Sequence, residues 1–166
     1  MTNETMTALG AALAEAGYTV TNATLDGTPA LVGRSSSFRW RWMATRLHTF
    51  VVVAAFDPVP EDAAPLDRFL ELAVKHAAAN KGGMPAGFQT GTAAIAVALV
   101  DGASTAAREW ALRPHGRKFG HIAYPVLADM ETGEVVHPPR MIVGGIYNAH
   151  LKGIAERVVK PALSQS

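Results

Sequence analysis

From Leu66 to Ala77 the apolar positions are Leu66, Phe69, Leu70, Ala73, Val74 and Ala77. This spacing closes on itself every 3.6 residues and predicts an amphipathic helix with one dry face. Glu61 and Asp62 precede it, where the helix dipole favours acids, and Gly82-Gly83 stop it. Met6, Leu9 and Leu13 predict a first helix over Thr5–Ala16, ended at Gly17. Leu151, Ile154, Ala155 and Val158 predict a last helix from about Asn148, with Pro161 marking its end.

Elsewhere the period is two. Tyr18–Leu25 reads as a strand, Asp26-Gly27 as a hairpin turn, and the chain returns from Thr28. Gly33 and Ser35-Ser36-Ser37 suggest a bulge or bend in that returning strand. Phe38, Trp40 and Trp42 then alternate with Arg39 and Arg41, which predicts a packed aromatic face and a wet arginine face. A second turn is expected near Met43–Arg46. Leu47–Phe56 is apolar at nearly every position, as in a strand covered on both faces. Thr92–Val100 places Ile95, Val97 and Leu99 on one face and Ala94, Ala96 and Ala98 on the other, small enough for a helix to pack closely. A short helix is expected over Ser104–Leu112, capped by Ser104 or Thr105, then a loop over Arg113–Lys118. Phe119–Asp129 and Glu134–Gly145 read as a hairpin around residues 130–133. Pro125, Pro138 and Pro139 confine it to edges or bulges.

The expected fold is thus a single α+β domain over residues 1–166, an antiparallel meander sheet with amphipathic helices packed on it in two or three layers. At 166 residues it can bury a core without disulfides or metal. There is no cysteine, so thiolate zinc sites and cysteine nucleophiles are excluded. No apolar run reaches membrane-spanning length, and the first fifteen residues read as a helix rather than a signal peptide. A soluble, cytoplasmic protein is expected.

Charge changes the picture locally. The formal net charge of +1 argues against a dedicated nucleic-acid-binding domain. Yet Val32–Phe56 holds four arginines and no acid, and Trp110–Ala128 holds Arg113, Arg117 and Lys118 and no acid. Arg39, Arg41, Arg113, His115, Arg117 and Lys118 are therefore the candidate ligand-binding residues, for an anion or an acidic partner. The glycine-rich stretch 82–92 follows a helix and precedes a strand, the reverse of a phosphate-binding loop. His48, His76, His115, His121, His137 and His150 are scattered and show no ligand spacing, so no metal is expected. Asp129, Glu131 and Glu134 read as a solvated acidic turn. There is no G-x-S-x-G elbow and no local acid–base pair, so no catalytic residue or cofactor is assigned.

The helix Thr5–Ala16, the turn Asp26-Gly27, the strands through Phe56 and the helix Leu66–Lys81 come in an order that resembles small secretion-chaperone-like and bacterial regulatory α+β domains. An antiparallel sheet covered by helices on both faces is also similar to small photosystem- or Ran-associated folds. The chain departs from the chaperone pattern in its pI of about 8.1 and in the segment Ala103–Lys118. The resemblance implies a non-catalytic binding or regulatory module that engages a protein partner or forms a homodimer. Binding of an anionic ligand or nucleic acid through the basic sheet face and the 113–118 loop is the alternative, and a small enzyme of unassigned reaction a further one.

Overall fold

The computed structural model describes residues 2–39, 45–82, 90–118, 121–140 and 145–164. Helix α1 (Thr2–Glu15) leads into β1 (Thr19–Leu25), β2 (Thr28–Arg39) and β3 (Thr45–Ala55). Helix α2 (Ala64–Asn80), β4 (Thr90–Val100), α3 (Thr105–Leu112), β5 (Arg117–Lys118), β6 (His121–Asp129) and β7 (Glu134–Val136) follow. A 3₁₀ turn (Gly145–Tyr147) opens a continuous helical segment made of α4 (Asn148–Ile154), a π turn (Ala155–Val159) and α5 (Lys160–Leu163).

The sheet has seven strands in the order β1-β2-β3-β4-β6-β5, with β7 on β6. β1, β2 and β3 form the expected antiparallel meander. The sheet as a whole is mixed rather than a purely antiparallel meander: β3, β4 and β6 run parallel, and β5 and β7 pair β6 antiparallel. The cause lies in the connections. A helix laid across the sheet carries the chain back to its starting end, so the next strand must run the same way. α2 does this between β3 and β4, and α3 between β4 and β6.

Three layers result. Leu66, Phe69, Leu70, Ala73 and Val74 of α2 and Trp110 of α3 pack on one face, against Phe50, Val52, Ala94, Ala96 and Ala98. Leu9 and Leu13 of α1 and Leu151, Ile154 and Val159 of the C-terminal segment cover the other, against Val51, Val53, Ile95, Val97 and Leu99. The alanine face of β4 is indeed the one that receives α2. Among the described residues no helix is long and apolar enough to cross a membrane.

Several local expectations change. No bulge interrupts β2: its register with β1 runs unbroken from Thr28 to Arg34, through Gly33, and its register with β3 from Leu31 to Arg39, through Ser35–Ser37. Gly33 is instead a close approach, since a Cβ there would stand 3.2 Å from Leu13 of α1 and 3.4 Å from Tyr18. Phe38 is not core; it is 48% exposed. On that face β2 pairs Arg34 with Phe50 and Phe38 with Arg46, and His76 of α2 meets Phe50 at 6.4 Å between rings, four positions along β3 from the partner of Phe38. Trp40, Arg41, Trp42, Met43 and Ala44 lie outside the described residues. Arg117 and Lys118 are not loop but a short strand on β6. The second hairpin arm is only Glu134–Val136. Pro125 falls between the two short outer partners of β6, which β5 pairs at residues 121–122 and β7 at residues 127–129. Pro161 does not end the last helix. It cannot donate to the carbonyl four residues back, and the preceding turn widens so that Lys160 N–H bonds the Ala155 carbonyl.

Candidate functional site

The parallel strands begin at one end of the sheet, and each opens with a polar residue on the α2 face. Alternation fixes that face: Phe50, Val52 and Ala54 of β3, Ala94 and Ala96 of β4, and Ala123 and Leu127 of β6 all pack towards α2. Two residues before Phe50 and Ala94 stand His48 and Thr92; two before Ala123 stands His121. Register then sets them side by side. His48 pairs with Thr92, and Ala93 pairs with Ile122, so Thr92 and His121 are neighbours one step earlier. Ser36 extends the row on the β2 side. With strands about 4.8 Å apart, the two histidine Cα atoms lie about 10 Å apart with Thr92 between them.

Thr92 is 3% exposed and His121 7%. The Thr92 hydroxyl and the His48 Nδ1 are sealed from solvent and have no hydrogen-bond partner among the described residues. A buried polar atom in that state costs about 1–3 kcal/mol, so its presence at two adjacent register positions asks for a reason. α2 ends at Asn80, and Gly82 beyond it takes a φ of +62°.

Basic groups surround the row. Arg34 of β2 donates through Nη2 to the Lys81 carbonyl at 2.7 Å, satisfying the end of α2, and its guanidinium stands 5.5 Å from the centre of the Phe50 ring. Burial, and then the charges of Arg34, Arg46 and Lys81, hold the His48 imidazole below its ordinary pKa. No carboxylate contributes to its field. His76 in the last turns of α2 is lowered by burial as well.

The residues singled out from the sequence divide. Arg39, paired in register with Thr45, and Arg117 and Lys118, paired with Ile122 and His121, belong to the same end of the sheet, on strands separated by β3, β4 and β6. Arg113 is elsewhere: its guanidinium bonds Asp67 of α2 at 3.1 Å. His115 packs on Trp110, with rings 6.0 Å apart and Nε2 3.2 Å from the Trp110 carbonyl. Arg41 lies outside the described residues. His48, Thr92 and His121 were missed as a group because they sit on three strands far apart in sequence. Their signal was there, a polar residue opening each strand on its small-residue face.

The other histidines have structural partners. His150 Nε2 lies 3.2 Å from the Thr49 hydroxyl and ties α4 to β3. His137 lies between Glu156 Oε1, 2.8 Å from its Nε2, and the Tyr124 hydroxyl, 3.0 Å from its Nδ1. The hydrogen bond from His137 holds Glu156 below the usual carboxylate range, and burial pushes the Tyr124 phenol up. Among the described residues no group of three or more metal-ligating side chains comes together. No protein-family model, curated protein or solved structure matches this chain.

Proposed function

We propose that this protein binds a small oxyanion, of the phosphate or sulfate type, at the opening end of β3, β4 and β6. The observation that carries this reading is the pair of buried, unsatisfied polar atoms, Thr92 Oγ1 and His48 Nδ1, within a field of cations and no carboxylate. A tetrahedral anion above Thr92 would accept from its hydroxyl and from an imidazole on either side. Charge-assisted bonds of this kind are about twice as strong as neutral ones. The positive field of Arg34, Arg46 and Lys81 repels a metal ion and favours an anion.

Binding is tested by calorimetric titration with inorganic phosphate and sulfate. The expected result is saturable binding that weakens with added salt and tightens as pH falls from 8 to about 6, because a bound anion favours protonated imidazole. Thr92→Val, which keeps shape and removes the hydroxyl, abolishes it. Affinity unchanged in Thr92→Val would sink the assignment.

A second reading concerns partners. β1 is an edge strand, and its seven residues, TVTNATL, carry no charge and no proline. Edge strands are usually guarded by such residues, which supports a second copy of the chain pairing along β1. Sedimentation of the wild type against Thr21→Lys tests it: a concentration-dependent dimer lost in the variant is expected, and a monomer at all concentrations would dismiss it.

A further inference from the structure

On the opposite face of the sheet a chamber of about 480 Å³ lies between the end of α1, the start of β1 and the C-terminal helical segment. Its lining includes Tyr18, His150, Gly153 and Arg157, with Ala16 and Ile154 as part of the apolar wall. The size is that of a small-molecule site, and its lining is mixed, with polar groups set beside an apolar wall.

Arg157 is its one full cation. It is exposed and makes no ion pair or hydrogen bond with the described residues. The carboxylate next to it in sequence is engaged elsewhere: Glu156 is held by His137 at 2.8 Å and by Lys160 at 3.5 Å. Both residues lie in the π turn, an irregularity that recurs at functional sites. Gly153, one turn earlier, has no side chain to fill the space, and the Arg157 guanidinium lies within 3.7 Å of where a Cβ would stand. Tyr18 is buried, which pushes its phenol up to about 12, so it remains a hydroxyl donor at neutral pH. His150 is anchored through Nε2 to Thr49.

We infer that this chamber is a second binding site, for a small organic monocarboxylate, held by the Arg157 guanidinium and the Tyr18 hydroxyl with its apolar part against Ala16, Ile154 and Val158. A planar carboxylate matches the guanidinium fork. A single cation suits a singly charged ligand, whereas a phosphate dianion calls for the denser positive field at the other site. Glu15 lines the adjoining cavity of about 320 Å³ between α1 and α5, which also contains Arg157. Its charge disfavours a second carboxylate there and confines the ligand to the first chamber. The inference does not depend on the oxyanion site.

The test is a titration of ¹⁵N-labelled protein with butyrate and benzoate, and with butyramide as the uncharged isostere, read by amide chemical shifts. Saturable shifts at Ala16, Tyr18, Ala149 and Gly153 are expected with either carboxylate and none with butyramide. Arg157→Gln, an exposed position at which folding is not at stake, weakens binding about tenfold or more, and Arg157→Lys by less. No saturable shift at those amides, or equal affinity in Arg157→Gln, would overturn the inference. Shifts confined to Arg46, His48, Thr92 and His121 would also overturn it, while supporting the oxyanion site. A separate phosphate titration reads that site, so the two can fail independently.

Discussion

The two ends of the parallel strands treat a buried polar group in opposite ways. Where β6 ends, Asp129 is 1% exposed and its carboxylate has several partners. It accepts from Gly102 N–H and Ala103 N–H at 3.1 Å each and from Glu131 N–H at 3.0 Å, and Arg108 stands 3.5 Å away. Arg108 also bonds Glu134, so one guanidinium serves both carboxylates. Where the same strands begin, Thr92 is buried and His48 half-buried beside cations, and Thr92 Oγ1 and His48 Nδ1 have no hydrogen-bond partner among the described residues. One end spends its polar groups on holding the β4–α3 and β6–β7 connections. The other leaves them uncommitted, as a binding site must before its ligand arrives.

The largest test of this contrast is Asp129→Ala. It strands three N–H donors and is expected to cost about 2–4 kcal/mol in urea unfolding. A loss below about 1 kcal/mol would mean that the closed end is not what holds these connections. Burial alone would raise the Asp129 pKa, but the hydrogen bonds from Ala103, Gly102, Thr132 and Glu131 together outweigh it and lower it. Its contribution is therefore complete above the ordinary aspartate value of about 4 and disappears as pH falls through the lower folded-state value. Asp129→Asn should flatten the acid side of the stability curve.

Thr92→Val should do the reverse at the open end. Removing an unsatisfied hydroxyl without changing shape is expected to leave stability unchanged or to raise it by up to about 1 kcal/mol. A clear loss of stability on urea unfolding would show that the hydroxyl already serves the fold. His48 gives a smaller, pH-dependent effect. Its folded-state pKa lies below the ordinary value. Stability is thus complete above about pH 6.5 and declines below it, as the unfolded chain takes up the proton first. Bound phosphate should reduce that decline. An NMR titration of the His48 ring with and without phosphate checks it, with an upward shift on binding expected and no shift counting against the site. The smallest effect belongs to Arg34→Gln, which loses the bond to the Lys81 carbonyl and the contact with Phe50 and should cost about 0.5–1 kcal/mol by thermal or urea unfolding.

Much of the architecture was legible in the residues themselves. The Asp26-Gly27 turn was readable because both positions need a positive φ, here 48° and 82°. The α2 stripe and the two unlike faces of β4 were readable because side-chain direction repeats with a fixed local period. The aromatic stretch misled at Phe38, because alternation says which residues share a face but not how far along the strand a helix covers it. The six histidines looked unrelated for the same reason.

The sequence by itself determined the main helices, the longer strands and most of their dry faces, since backbone geometry and apolar burial act over a few residues. It also determined the absence of thiol chemistry and the two basic stretches. Only the tertiary structure decided that β3, β4 and β6 run parallel, and hence that His48, Thr92 and His121 share one row. It alone placed Arg157 and Tyr18 in the lining of one chamber. The physical reason is that lateral neighbours on a sheet are set by crossover helices and by the fit of two separate cores. These are relations between distant segments, and no local pattern of hydrophobic and polar positions encodes them.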